Sequence, residues 1–193
     1  MAKTAPVLKF SSPPQDRRQA GETGRAARRR PAARPDLLEI TDSRDRPLLL
    51  MPPEAAPRQG LYSRFACVAL FGTGKILHLF RRVFPGVGFE GRWDFCFGPV
   101  RPGEAREDAA RRLLLEQAGL ADLRTVEILR RPADADLPGH LTFFSARLPL
   151  GGILDDREFL AVDADELEGL VAHCPDFFTP ALLWAAGGGW LFS

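Results

Sequence analysis

Gly98–Leu120, GPVRPGEAREDAARRLLLEQAGL, decides the fold of this chain. The stretch predicts a turn running into one short helix. Gly98, Pro99, Pro102 and Gly103 are turn formers, and Glu107 and Asp108 fall where a first helical turn favours negative charge. Ala109 to Ala118 is a run of good helix formers, and Gly119 supplies a C-terminal stop. On such a helix positions 113, 116 and 117 are spaced i, i+3, i+4 and are expected to share one face.

The spacing resembles the Nudix box of the diphosphate hydrolases. That pattern runs Gly, five residues, Glu, seven residues, then Arg-Glu-apolar-any-Glu-Glu-any-Gly-apolar. Gly98, Glu104, Arg112, Leu114, Glu116, Gly119 and Leu120 fall in register with it. The resemblance implies an α/β Nudix fold, an α/β/α sandwich built on a mixed β-sheet. It implies a magnesium or manganese ion held by carboxylates of the box helix against a substrate diphosphate. It also implies that Glu104 and Arg112 brace the box loop onto its helix.

Three positions depart from the pattern. Leu113 stands where the family has the Glu after the Arg, and Gln117 where it has the second Glu of the pair. Phe97 stands where a second Gly usually gives its carbonyl to the metal. The helix face therefore offers one carboxylate, one amide and one hydrocarbon. Glu116 and Gln117 are the expected metal ligands, with Asp155 from the acidic segment Asp155, Asp156, Glu158 as a further acid. The catalytic set is Glu116 and Gln117 with Glu104 and Arg112. A cation is expected to bind weakly, helped by the substrate's own phosphates.

Working outward, Leu37–Thr41 and Leu48–Met51 flank the turn formers Asp42-Ser43-Arg44-Asp45, which predicts a hairpin. Phe65–Phe71 and Ile76–Phe80 flank Gly72-Thr73-Gly74 and predict a second hairpin inside a sheet. The resemblance implies that basic residues ending this hairpin, here Arg81 and Arg82, face substrate phosphates. Pro85-Gly86 and Gly88 predict a loop, and Gly91–Phe95 is similar to the Trp-acid-Phe strand that leads into many Nudix boxes. Leu123–Leu129 and Leu141–Leu148 read as strands. Asp163 and Glu166 have capping-box spacing, and Thr179-Pro180 reads as an N-cap followed by proline at the first helical position. Asp36-Leu-Leu-Glu-Ile, Arg46-Pro47, Gly60-Leu61 and Phe178-Thr179-Pro180 are similar to the subgroup that resembles isopentenyl-diphosphate isomerase. Isomerase activity is not expected. Tyr62 and Ser63 stand where that subgroup has a metal-binding His, and His78, His140 and His173 lie elsewhere.

A chain of 193 residues, 45% hydrophobic, can bury a proper core. Its net charge of +1 is unevenly spread, because residues 1–34 hold nine Lys or Arg against Asp16 and Glu22. Residues 1–35 are expected to be a basic, disordered arm and residues 36–193 the Nudix domain. With Phe10 as its one aromatic, the arm is a poor platform for stacking bases, so it is read as a solvated tail and not as a nucleic-acid contact. Cys67, Cys96 and Cys174 share no CxxC spacing and fit a reducing, cytoplasmic compartment. No apolar run approaches the ~18 residues of a membrane span. Two functions stay open: metal-dependent hydrolysis of a diphosphate linked to an organic group, or a catalytically inactive Nudix-fold binding or regulatory module.

Overall fold

Every residue from Phe65 to Leu70 is apolar, the composition of a strand covered on both faces. In a computed structural model this run is the centre of β3 (Tyr62–Phe71), and its side chains alternate between two cores. Phe65, Cys67 and Ala69 point into one, Ala66, Val68 and Leu70 into the other. The structure describes residues 37–193 apart from 54, 56–58, 60, 83–88, 135–136, 138, 150–153 and 155–158. The basic arm, the Pro85–Gly88 loop and the Asp155, Asp156, Glu158 segment lie outside the described residues.

One edge of β3 is taken along its whole length by β8 (Gly139–Arg147), which runs parallel, from Ser63 opposite Gly139 to Phe71 opposite Arg147. The other edge is shared by three strands in succession. β1 (Leu38–Thr41) pairs at Tyr62 and Ser63, β6 (Cys96–Pro99) from Phe65 to Val68, and β4 (Leu77–Arg81) at Leu70 and Phe71. β2 (Pro47–Met51) completes the first expected hairpin with β1. β7 (Thr125–Arg131) lies antiparallel on β8, and β4 carries both β5 (Trp93–Asp94) and β9 (Phe159–Val162). Among the described residues nine strands form one mixed sheet.

Helices cover both faces. α1 (Arg106–Leu113) packs on β3, β6 and β7 over the core of Ala66, Val68, Leu70 and Phe144. α2 (Ala164–His173) and α3 (Pro180–Gly187) supply Leu167, Ala181, Leu182 and Ala185 to the opposite core, around Phe95, Phe97 and Phe143. The expected caps are in place. Asp163 and Glu166 each accept from the other's backbone N–H, and the Thr179 hydroxyl accepts from Leu182. Among the described residues no helix is long and apolar enough to cross a membrane.

Candidate functional site

The expected box helix is present, with one change of winding. After Leu113 the chain widens into a π-helical turn, Leu114–Ala118, and stops at Gly119 with φ 72°. Leu113, 1% exposed, and Gln117, half-buried, both face β6, whereas Glu116 is exposed. Positions 113 and 117 share a face as expected, and Glu116 stands apart from them.

Ahead of the helix the loop is clamped by one ion pair. Arg112 donates through Nε and Nη2 to the two carboxylate oxygens of Glu104, both at 2.8 Å, and through Nη2 to the Pro99 carbonyl at 2.8 Å. Glu104 also accepts from the Arg101 backbone N–H at 2.8 Å. Partial burial opposes ionisation of Glu104, but the Arg112 fork and the Arg101 amide together hold its carboxyl below the usual carboxylate range. Their partner makes the same pair from the other side, since Glu104 raises Arg112 further.

The three inner positions of the box are all engaged with β6 and the loop after it. Leu113 sits over Gly98, so close that a Cβ on that glycine would lie 2.5 Å from Leu113 Cδ2. Gln117 makes a two-point clasp on the preceding residue: its Oε1 accepts from the Phe97 N–H at 3.1 Å and its Nε2 donates to the Phe97 carbonyl at 2.6 Å. Glu116 lies between two guanidinium groups, accepting from Arg101 and from Arg112, each at 3.1 Å. Sequence reasoning missed the part played by Arg101. A basic residue inside the box loop, three before Glu104, was the available signal.

Arg81 and Arg82, expected side by side at the phosphates, point to different environments. Arg81 is exposed, with its guanidinium 4.5 Å from the Trp93 ring centre and Nη1 donating to the Gly91 carbonyl at 2.8 Å. Arg82 is buried over the Phe97 ring, 4.0 Å from its centre, and faces Asp94 at 3.5 Å. Asp94 is itself 1% exposed and accepts from the Phe95 N–H. Burial pushes the Asp94 carboxyl up to about 6 against the pull of Arg82 and the Thr179 hydroxyl. Burial also raises the neighbouring Cys67 thiol, with the Asp94 charge adding to it. The acid of the Trp-acid-Phe strand is therefore half of a buried ion pair, a role its sequence position alone did not reveal.

With the geometry of the box in place, comparison with known proteins decides the family. A model of the NUDIX domain matches residues 61–184. The chain belongs to the Nudix family. It is 33% identical over 94 residues to an uncharacterized Nudix hydrolase of Pseudomonas aeruginosa, a match covering 48% of this chain and 56% of that one. It is 31% identical over 142 residues to an isopentenyl-diphosphate Delta-isomerase of Burkholderia multivorans, covering 72% of this chain and 71% of the relative. Among solved structures, DR0079 from Deinococcus radiodurans superposes with a TM-score of 0.62 at 17% identity, over 79% of this chain and 98% of that one. That likeness concerns the fold alone.

Nudix hydrolases generally use divalent metals and act on small-molecule diphosphates, so the donor set of this Nudix chain can be tested against such an ion. Among the described residues it does not fit one. Leu113 brings no oxygen, Gln117 has both amide atoms on the Phe97 backbone, and the Phe97 carbonyl is already accepting from Gln117. Among the described residues, no three His, Cys, Asp or Glu side chains gather closely enough to hold a metal. The histidines do other things. His140 is buried, with Nε2 2.8 Å from the Asp42 carbonyl and Nδ1 accepting from Ala133 N–H at 3.3 Å, which makes the ring a tie between two loops. His78 packs edge-on to Phe159, and burial lowers its pKa. Cys67, Cys96 and Cys174 form no disulfide.

Proposed function

We propose that this Nudix chain is a binding or regulatory module for a small molecule carrying a diphosphate on an organic group, and that metal-dependent hydrolysis has been lost. The observation that carries this reading is Leu113. The box position that would bring the first helix carboxylate holds a hydrocarbon packed on Gly98, inside the core. The side chain is part of the fold and cannot swing out to serve a ligand. Arg81 and Arg101 are the proposed diphosphate contacts, because both guanidinium groups are exposed beside the box and the strand leading to it.

Hydrolysis with magnesium or manganese recruited by the substrate is the competing reading. Glu116 favours it, being retained in register and exposed at the end of the helix. It would draw on acids at 155–158, which lie outside the described residues.

A panel of organic diphosphates separates the two, with binding followed by calorimetry and turnover by phosphate release in the presence of magnesium or manganese. The expected result is binding without metal-stimulated release, and a background rate that Glu116→Ala leaves unchanged. Release that requires the metal and disappears in Glu116→Ala would establish the hydrolase. Absence of binding across the panel would remove the ligand class.

A further inference from the structure

The Gln117 clasp has the form of an ion site whose cation has been replaced by an N–H group. The Phe97 carbonyl and the side chain at 117 approach one another on the inner side of the π turn, 2.6 Å apart. Two oxygens cannot stand at that distance without something positive between them. Here the Nε2 hydrogen supplies it, while Oε1 takes the N–H of the same residue, Phe97. Glutamine, unlike glutamate, can donate to the carbonyl and accept from the N–H of one residue at once. Glutamate would keep the N–H bond and set a second acceptor against the carbonyl.

We infer that the Gln117 side-chain amide is a built-in substitute for a divalent cation, which joins the box helix to β6 without metal. A box helix that ends in carboxylates facing a carbonyl has its own repulsion to overcome, and a dication relieves it. This chain relieves it with the hydrogen bond from Gln117 Nε2 to the Phe97 carbonyl. Within the π turn position 117 faces β6 and position 116 is exposed. The consequence is specific: the wild-type domain is indifferent to divalent cations, and a single substitution makes its stability depend on them.

Thermal unfolding of the full chain tests this, in EDTA and in millimolar Mn²⁺, for wild type, Gln117→Glu and Gln117→Met. Wild type is expected to melt at the same temperature in both conditions. Gln117→Glu should melt several degrees lower in EDTA and recover most of the loss in Mn²⁺. Gln117→Met loses the clasp without adding an acceptor, so it should melt below wild type in both conditions and gain nothing from Mn²⁺. Broadening of the Phe97 amide resonance by Mn²⁺ should appear in Gln117→Glu alone. Stabilisation of wild type by Mn²⁺, or a Gln117→Glu protein as stable as wild type in EDTA, would overturn the inference. So would a gain from Mn²⁺ in Gln117→Met equal to that in Gln117→Glu. None of these outcomes depends on turnover, so the inference stands or falls apart from the proposed function.

Discussion

Leu113→Glu, the substitution that would restore the first missing box carboxylate, is expected to unfold the domain. The Leu113 side chain is 1% exposed and lies among Ala66, Val68, Ala109, Ala110 and Phe144, with Gly98 beneath it. A carboxylate placed there finds hydrocarbon and a glycine. The nearest cation in sequence, Arg112, already serves Glu104, the Pro99 carbonyl and Glu116. Burial of a charge without a partner costs several kcal/mol at least, and a domain of this kind has about 5–15 kcal/mol in total. Leu113→Ala, which leaves only a cavity, should cost about 2–5 kcal/mol. Urea denaturation of the three proteins checks the order: wild type most stable, then Leu113→Ala, then Leu113→Glu, which should be largely unfolded in buffer. A Leu113→Glu protein within about 1 kcal/mol of wild type would mean that the helix can rotate this position outward, and the argument for lost catalysis would fail with it.

The second large effect belongs to the other face of the sheet. Arg82→Met is expected to cost about 3–5 kcal/mol at pH 7 and above, because it leaves the Asp94 carboxylate buried with its cation removed. Methionine keeps an apolar stem over the Phe97 ring, so the loss isolates the charge and not the packing. The same pair gives the protein a pH dependence of unusual sign. The folded-state pKa of Asp94, about 6, lies above the ordinary 3.8, so between those values the folded chain holds a proton that the unfolded chain has released. The contribution of this group is therefore greatest below the ordinary value and declines as pH rises through about 6. Glu104 works in the opposite sense, its pKa being depressed, and contributes stability that is lost as pH falls. Carbon-detected NMR titration of the Asp94 carboxyl should give a midpoint near 6; a midpoint in the ordinary range would show that water reaches the pair.

What could be read from the chain in advance was whatever local spacing determines. Gly98, Glu104, Arg112 and Gly119 announce the box because a turn, a brace and a helix stop are made by neighbours in sequence. Asp163 with Glu166, and Thr179 with Pro180, are legible for the same reason. The strand β9 went unread, since its four residues owe their conformation to β4, some eighty positions earlier. The split of Arg81 from Arg82 was equally hidden. It depends on Asp94, which reaches Arg82 only once β5 has paired with β4. Within the box, the identities of Leu113 and Gln117 were visible and their meaning was not. Leu113 packs on Gly98 and Gln117 clasps Phe97, contacts that exist only once the helix has docked on β6.

The parallel pairing of β3 with β8 also sets a timetable for synthesis. Ser63 waits for Gly139 and Phe71 for Arg147, so the central strand leaves the ribosome long before its main partner exists. At the roughly 5–20 residues per second of translation, the delay is on the order of several seconds. Through that interval one hydrogen-bonding edge of β3 is paired with β1, β4 and β6, while the edge that β8 will take is open. A nascent chain halted just before Gly139 should therefore engage chaperones and self-associate, whereas the full chain, with β8 paired and α2 and α3 over the second core, should not. The vulnerability of this protein in the cell is thus greatest during its manufacture, and it ends only after the strand and the two helices that follow it have arrived.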